Sequence, residues 1–186
     1  MRTIEDLKRE KEALFKKHPG LRDVQVLPLR ESWSYEKLSA LIELCFNHDY
    51  GNSPRIRFTP EFLEWSMPIP SGVCVLDDED RWLGCFLAFS RDCSHGGQAG
   101  KYAIETALCT IPEMRGRGLA QLLNLSYREV EFTSGPEFSV CWVDSRDSHD
   151  GGSKLVLERM KEASFGIQTF NLICKTLDCR KARIHE

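Results

Sequence analysis

With 186 residues, of which 41% are hydrophobic and 28% charged, the chain has the length of one domain and enough apolar material for one sizeable core. A net charge of -3 gives no electrostatic basis for binding nucleic acid or an anionic membrane surface, so any seat for a phosphorylated ligand must be local. Met1-Arg2-Thr3-Ile4-Glu5-Asp6 has no apolar signal core and the apolar runs are only strand-sized; a cytoplasmic protein without a membrane span is expected.

Thr3 to Lys17 reads as a charged helix opened by a Thr3/Asp6 capping box and ended by His18-Pro19-Gly20. Its apolar stripe (Ile4, Leu7, Leu14, Phe15) is thin, so residues 1–20 are expected to form a peripheral N-terminal helix. Val24 to Leu29 suits a first strand. Ser34 then caps a stronger helix, with Leu38, Leu41, Ile42, Cys45 and Phe46 at helical spacing. His48 to Pro54 is polar and reads as a loop, and Thr59-Pro60-Glu61 opens a short helix that runs through Met67 and is closed by Pro68 and Pro70.

Two strand-like runs follow, Val73 to Leu76 and Trp82 to Ser90, joined by the acidic turn Asp77 to Asp80 as a hairpin. Ser94 to Gly100 reads as a flexible loop, Tyr102 to Thr110 as a central strand, and Gly116 to Val130 as a helix with Leu119, Leu122, Leu123, Tyr127 and Val130 on one face. Phe138 to Val143 is a buried strand. After the loop Asp144 to Gly152 come a helix from Ser153 to Ala163 and a last strand from Ile167 to Leu177. The alternation predicts one α/β (α+β) domain over residues 1–186, a mixed and mostly antiparallel sheet flanked by helices. The eight cysteines include no Cys-x-x-Cys and most sit in apolar runs, so reduced, buried thiols are expected, with no metal site and no disulfide framework. Cys174 and Cys179 are the one closely spaced pair.

The chemistry concentrates between the central strand and the helix after it, in Ile111-Pro112-Glu113-Met114-Arg115-Gly116-Arg117-Gly118-Leu119-Ala120. Glycines at 116 and 118 free the backbone to aim successive N–H groups into one concavity, the following helix adds its own N-terminal amides and dipole, and two arginines add charge. That is a phosphate seat. No Lys-Ser/Thr follows the glycines, which excludes a P-loop, and the dinucleotide Gly-x-Gly-x-x-Gly pattern is not met.

Arg-x-x-Gly-x-Ala after a strand and a Pro-Glu turn, here Arg115, Gly118 and Ala120, resembles the cofactor signature of the GNAT acyltransferase superfamily, and Leu108-Cys109-Thr110-Ile111-Pro112 extends the likeness. The resemblance implies a GNAT-like fold and acetyl-CoA or a longer acyl-CoA as co-substrate. It implies a bulged strand whose amides near Ala107 and Leu108 polarise the thioester carbonyl as an oxyanion hole. Thr110 and Ile111 would hold the pantetheine arm, and the amides of Arg115, Gly116, Arg117, Gly118, Leu119 and Ala120 the pyrophosphate. A second segment, Phe58-Thr59-Pro60-Glu61-Phe62-Leu63-Glu64-Trp65-Ser66-Met67-Pro68, resembles eukaryotic N-myristoyltransferases. Weaker similarity spans roughly Leu38 to Leu177 and covers the first half of that family only. The phosphate turn, with two glycines, resembles that of an ordinary GNAT enzyme.

Transfer to an amine requires a base for the amine and an acid for the leaving thiolate. Many GNAT enzymes place a tyrosine where this chain has Met160, ahead of Ala163-Ser164-Phe165, and Met160 donates no proton. Tyr127 and Tyr102 remain available as candidate acids, with Tyr127 on an apolar helix face. Glu105 in the central strand is the candidate base. Plain alternation puts it on the face of Ala103, Ala107 and Cys109, opposite Ile104, Thr106 and Leu108, unless a bulge reverses the parity. Thr106 aligns with a site-lining position. Asp144 and His149 occupy a loop where substrates approach such folds; His48, His95 and His185 are weaker candidates. The expected acceptor is an amine-bearing small molecule or peptide, and a homodimer is compatible with these features. Three functions fit: long-chain, myristoyltransferase-like acyl transfer to a primary amine, acetyl transfer, and a catalytically silent CoA-binding module.

Overall fold

The computed structural model describes residues 3–29, 34–50, 57–67, 71–95, 97–134 and 138–141. The chain divides into two compact units, Met1–Trp142 and Val143–Glu186, and every described residue lies in the first. The expected helix from Ser153 and strand from Ile167, with Asp144, His149, Met160, Cys174 and Cys179, fall outside the described residues, as does His185.

The elements are α1 (Ile4–Lys17), β1 (Gln25–Pro28), α2 (Tyr35–Tyr50), α3 (Pro60–Ser66), β2 (Ser71–Leu76), β3 (Trp82–His95), β4 (Gln98–Thr110), α4 (Leu119–Ser134) and β5 (Phe138–Cys141), with 3-10 turns at Pro19–Arg22 and Pro112–Met114. The five strands form one sheet in sequential order. β1 to β4 pair antiparallel and β5 lies parallel to β4, the geometry that requires a crossover, here α4, between the last two strands. The sheet is mixed and mostly antiparallel, as the alternation of elements predicts.

Local chemistry starts each helix. In α1 the Thr3 hydroxyl accepts from the Asp6 N–H at 3.2 Å while the Asp6 carboxylate accepts from the Thr3 N–H at 2.9 Å, the reciprocal box the sequence spells. Ser34 accepts from the Lys37 N–H, and Thr59 from the Phe62 N–H with Pro60 behind it. The Asp77 carboxylate closes the β2–β3 turn by accepting from the Glu79 and Arg81 amides. Two segments differ from the sequence reading. α2 continues to Tyr50, past the expected loop start at His48. The expected loop after Ser94 is largely strand, since β3 and β4 stay paired out to His95↔Gln98. Backbone pairing there outweighs the glycine-rich composition.

α1 and α4 pack together on one face of the sheet, while α2, with α3 against it, covers the other. Gly84 meets Leu123 of α4, and the Phe86 ring lies 4.4 Å from that of Tyr127. Cys45 of α2 meets Cys109 of β4 on the opposite face. α1 is not peripheral in its packing: Leu7 and Leu14 are buried in the main core, and Lys11 pairs with Glu129 of α4. Two leucines two turns apart on the same face suffice because each is buried. On the other face the Tyr35 hydroxyl donates to the Met67 carbonyl at 2.9 Å, tying α2 to the end of α3. Cys45, Cys74, Cys85 and Cys109 are buried thiols outside any disulfide, as small hydrophobes are.

Candidate functional site

β4 carries the first half of the site. Leu87 pairs with Ala107, but Ala88 pairs with Glu105, so Thr106 is an extra residue with no opposite partner. This is a β-bulge, which bends and twists its strand. It also changes which way the side chains face. Residues paired across antiparallel strands share a face. Cys109 and Ala107 therefore lie with Cys85 and Leu87 on the α2 side, and Glu105 lies with Ala88 on the α4 side. Plain alternation, which groups Glu105 with Ala107 and Cys109, is interrupted at Thr106.

Glu105 is 7% exposed, and its Oε1 sits 2.6 Å from Nη1 of Arg128 on α4. The contact is ionic without hydrogen-bond alignment. The Arg128 guanidinium also lies over the Tyr127 ring, 5.4 Å from its centroid. Among the described residues, β5 pairs with β4 only from Tyr102↔Phe138 to Glu105↔Cys141. From Thr106 to Thr110 the β5-side edge of β4 has no described strand partner. An unpaired strand edge presents backbone donors and acceptors to whatever lies alongside. Leu108 is 39% exposed on this stretch, although it belongs to a central strand. Thr110 and Ile111 are buried, and the Ile111 N–H returns to the Leu83 carbonyl at 2.9 Å. That bond ends β4 and launches the turn.

The turn is the second half. The 3-10 segment Pro112–Met114 leads to Arg115, then Gly116 at φ 71° and Gly118 at φ 83°, both in the left-handed region, and α4 starts at Leu119. Gly118 is the N-cap, its carbonyl accepting from the Leu122 N–H at 3.0 Å. Among the described residues, no protein acceptor is paired with the amides of 116–121. Those of Leu119, Ala120 and Gln121 are first-turn donors with no intrahelical partner. The first turn of α4 has no acidic residue, so the positive end of the helix dipole is uncompensated. Unpaired amides beside an uncompensated helix N-terminus are the features that favour an anion.

Two neighbours of the turn are not visible in sequence. The His18 ring, at the C-cap of α1, packs on Gly118: a Cβ there would come within 2.8 Å of His18 Cδ2 and 3.1 Å of Leu14 Cδ1. Arg115 Nη1 lies 3.2 Å from His48 Nδ1, at the end of α2. A guanidinium only donates, so the imidazole nitrogen accepts. Arg117 is exposed. His18 is 100 residues from Gly118 in sequence, and its only signal there is the end of a helix. A cleft of about 330 Å³ lined by Lys37, Leu41, Leu44, Asp80, Arg81 and Trp82 lies between α2 and the β2–β3 turn and contains none of these residues.

The fold is similar to that of solved acetyltransferase structures. No family model and no curated protein sequence matches the chain; solved structures do. An aminoglycoside acetyltransferase from an uncultured soil metagenomic sample, in complex with sisomicin, matches with a TM-score of 0.64 at 13% identity, over 85% of this chain and 99% of that one. An acetyltransferase of Trypanosoma brucei matches with a TM-score of 0.55 at 14% identity, over 83% and 100%. A second metagenomic aminoglycoside acetyltransferase gives 0.53 at 19% identity, over 82% and 98%. At these identities the likeness establishes the fold.

Proposed function

We propose that the chain is an acyl-CoA-dependent N-acyltransferase, with acetyl-CoA as the co-substrate and a primary amine as the acceptor. The observation that carries this reading is the 116–121 amide cluster at the head of α4, directly after a strand that bulges at Thr106. In this reading the amides of Arg115, Gly116, Arg117, Gly118, Leu119 and Ala120 hold the pyrophosphate, and the β4 edge at Thr110 holds the pantetheine arm, the Ile111 N–H being committed to the Leu83 carbonyl. The Leu108 amide, on the open edge just after Ala107, faces the thioester oxygen, where negative charge develops as the amine nitrogen attacks. The C–N bond forms, the C–S bond breaks, the amine gives up a proton and the thiolate takes one. Thr106, unpaired in the sheet, orients acceptor or water. Glu105 is the less suitable base, since its carboxylate is engaged by Arg128. The acetyltransferase identities of the neighbouring folds favour the two-carbon acyl group, and the aminoglycoside enzymes among them favour a polyamine-like small acceptor over a peptide.

The second reading, a longer acyl chain, rests on the Phe58–Pro68 segment, whose Thr59-capped helix sets Phe58 edge-on to both Phe46 and Phe62. Thermal stabilisation by CoA, acetyl-CoA and myristoyl-CoA in parallel separates the two. Equal shifts with CoA and acetyl-CoA, followed by CoA release on adding amines, are expected. A much larger shift with myristoyl-CoA would select the longer chain, a shift without turnover would leave a binding module, and no shift with any of the three sinks the proposal.

A further inference from the structure

The position of the β4 bulge needs a cause, and the residues around it supply one. Without the extra residue at Thr106, Ala103, Glu105, Ala107 and Cys109 would share one face. That face is closed by α2: Cys45, Cys85 and Cys109 meet there, with Cys85 and Cys109 Sγ atoms 3.6 Å apart, and Leu87 and Leu38 are fully buried. A carboxylate there would be desolvated among thiols and leucines, a cost that a protein avoids by neutralising or relocating the charge. The bulge relocates it. One extra residue turns Glu105 to the α4 face, where Arg128 waits at 2.6 Å. The guanidinium is itself seated over Tyr127, which stacks on Phe86.

We infer that the Glu105–Arg128 pair is a register lock: it holds the bulge at Thr106 and so positions the Ala107 and Leu108 amides. In this role Glu105 and Arg128 are positioning residues that touch neither substrate. The inference that the lock serves acyl transfer rests on the function proposed above; the inference that it sets the bulge does not. A buried ion pair is weak evidence for stability, but fixing a register is its best-attested use. A one-residue slip is the error such a lock prevents.

The test replaces the pair by apolar residues, Glu105→Leu with Arg128→Leu, which removes both charges and leaves no orphan. Backbone amide exchange is read across 104–109 in the unliganded protein, alongside thiol release from acetyl-CoA. We expect a folded variant in which β4 relaxes to regular pairing: exchange at 105–108 slows, and kcat falls by about 10²-fold, the scale of a small misplacement in a site. The CoA melting shift, set at the 116–121 amides, persists. Glu105→Ala, which fits either face, covers the case in which the double variant does not fold and should slow exchange at 105–108 as well. Glu105→Gln, still able to accept from Arg128, should retain the wild-type exchange pattern. Wild-type exchange at 105–108 in the apolar or alanine variant overturns the lock. If wild-type protein shows neither CoA shift nor turnover, the functional proposal fails while the exchange result still decides whether the pair sets the bulge.

Discussion

Gly118 and Gly116 are both left-handed, yet alanine should be far costlier at one than at the other. At Gly116, with φ 71°, a new Cβ meets nothing within 4 Å, so Gly116→Ala costs only the left-handed backbone penalty, about 1–2 kcal/mol. At Gly118, with φ 83°, the same penalty applies, and the Cβ also lands 2.8 Å from His18 Cδ2 and 3.1 Å from Leu14 Cδ1. Overpacking of that kind adds about 1–3 kcal/mol, for a total of about 2–5 kcal/mol, a large share of the 5–15 kcal/mol typical of a domain. The excess should belong to α1. In a His18→Ala background much of the ring's obstruction is gone, so Gly118→Ala should cost at least about 1 kcal/mol less, measured as a coupling energy in a double-mutant cycle. Urea unfolding followed by circular dichroism gives each term, provided the m-value is unchanged. Equal losses at 116 and 118, or no relief from His18→Ala, would refute the claim that α1 braces the phosphate turn.

Acid should loosen the fold through its caps and turns. Asp77 is held below the usual carboxylate range by the Arg81 and Glu79 amides and the Arg81 side chain, Asp6 by the Thr3 hydroxyl and amide, and Glu36 by the Ser34 hydroxyl and its own amide. A depressed pKa stabilises the folded state above the unfolded carboxylate value, near pH 4, and that contribution disappears as pH falls through the folded value. Melting temperature should therefore fall below about pH 4, less steeply in Asp77→Asn; an unchanged acid limb in that variant would exclude the turn. The thiols give the opposite expectation. Cys45 lowers the Cys109 pKa by hydrogen bonding, but the Cys85 contact and full burial outweigh it and hold the thiol well above its ordinary range. Iodoacetamide at neutral pH should leave Cys45, Cys74, Cys85 and Cys109 unlabelled until denaturant is added, as read by peptide mass spectrometry; prompt labelling of Cys109 would contradict its burial.

What was legible in the sequence follows the range of the interaction. The Thr3/Asp6 box, the Thr59-Pro60 start and the Asp77 turn are each complete within four or five residues, and each is found where the residues place it. The phosphate turn is equally local: two glycines, a strand before and a leucine-rich helix after determine its backbone. The face of Glu105 is another matter. It depends on Arg128, 23 positions on and across a helix, and on Cys45, 60 positions back. Periodicity along one strand contains neither. The burial of α1 escaped for the same reason: two leucines make a thin stripe until α4 is laid along it.

The two arginines of the turn illustrate how far a motif's letter and its role diverge. Arg115 stands at the signature position, but its guanidinium reaches back to His48 and so joins the end of α2 to the start of the phosphate turn. Arg117, outside the signature, is the exposed one of the two. An exposed cation in water adds about 1 kcal/mol or less to a contact and is screened by salt. The unpaired amides of 116–121 and the helix end behind them belong to the folded backbone, so the proposed anion seat costs little reorganisation to use. Arg115 therefore matters first as a strut. If the proposed seat binds a pyrophosphate, its affinity comes chiefly from the backbone, held by Gly118 against α1 on one side and by Arg115 against α2 on the other.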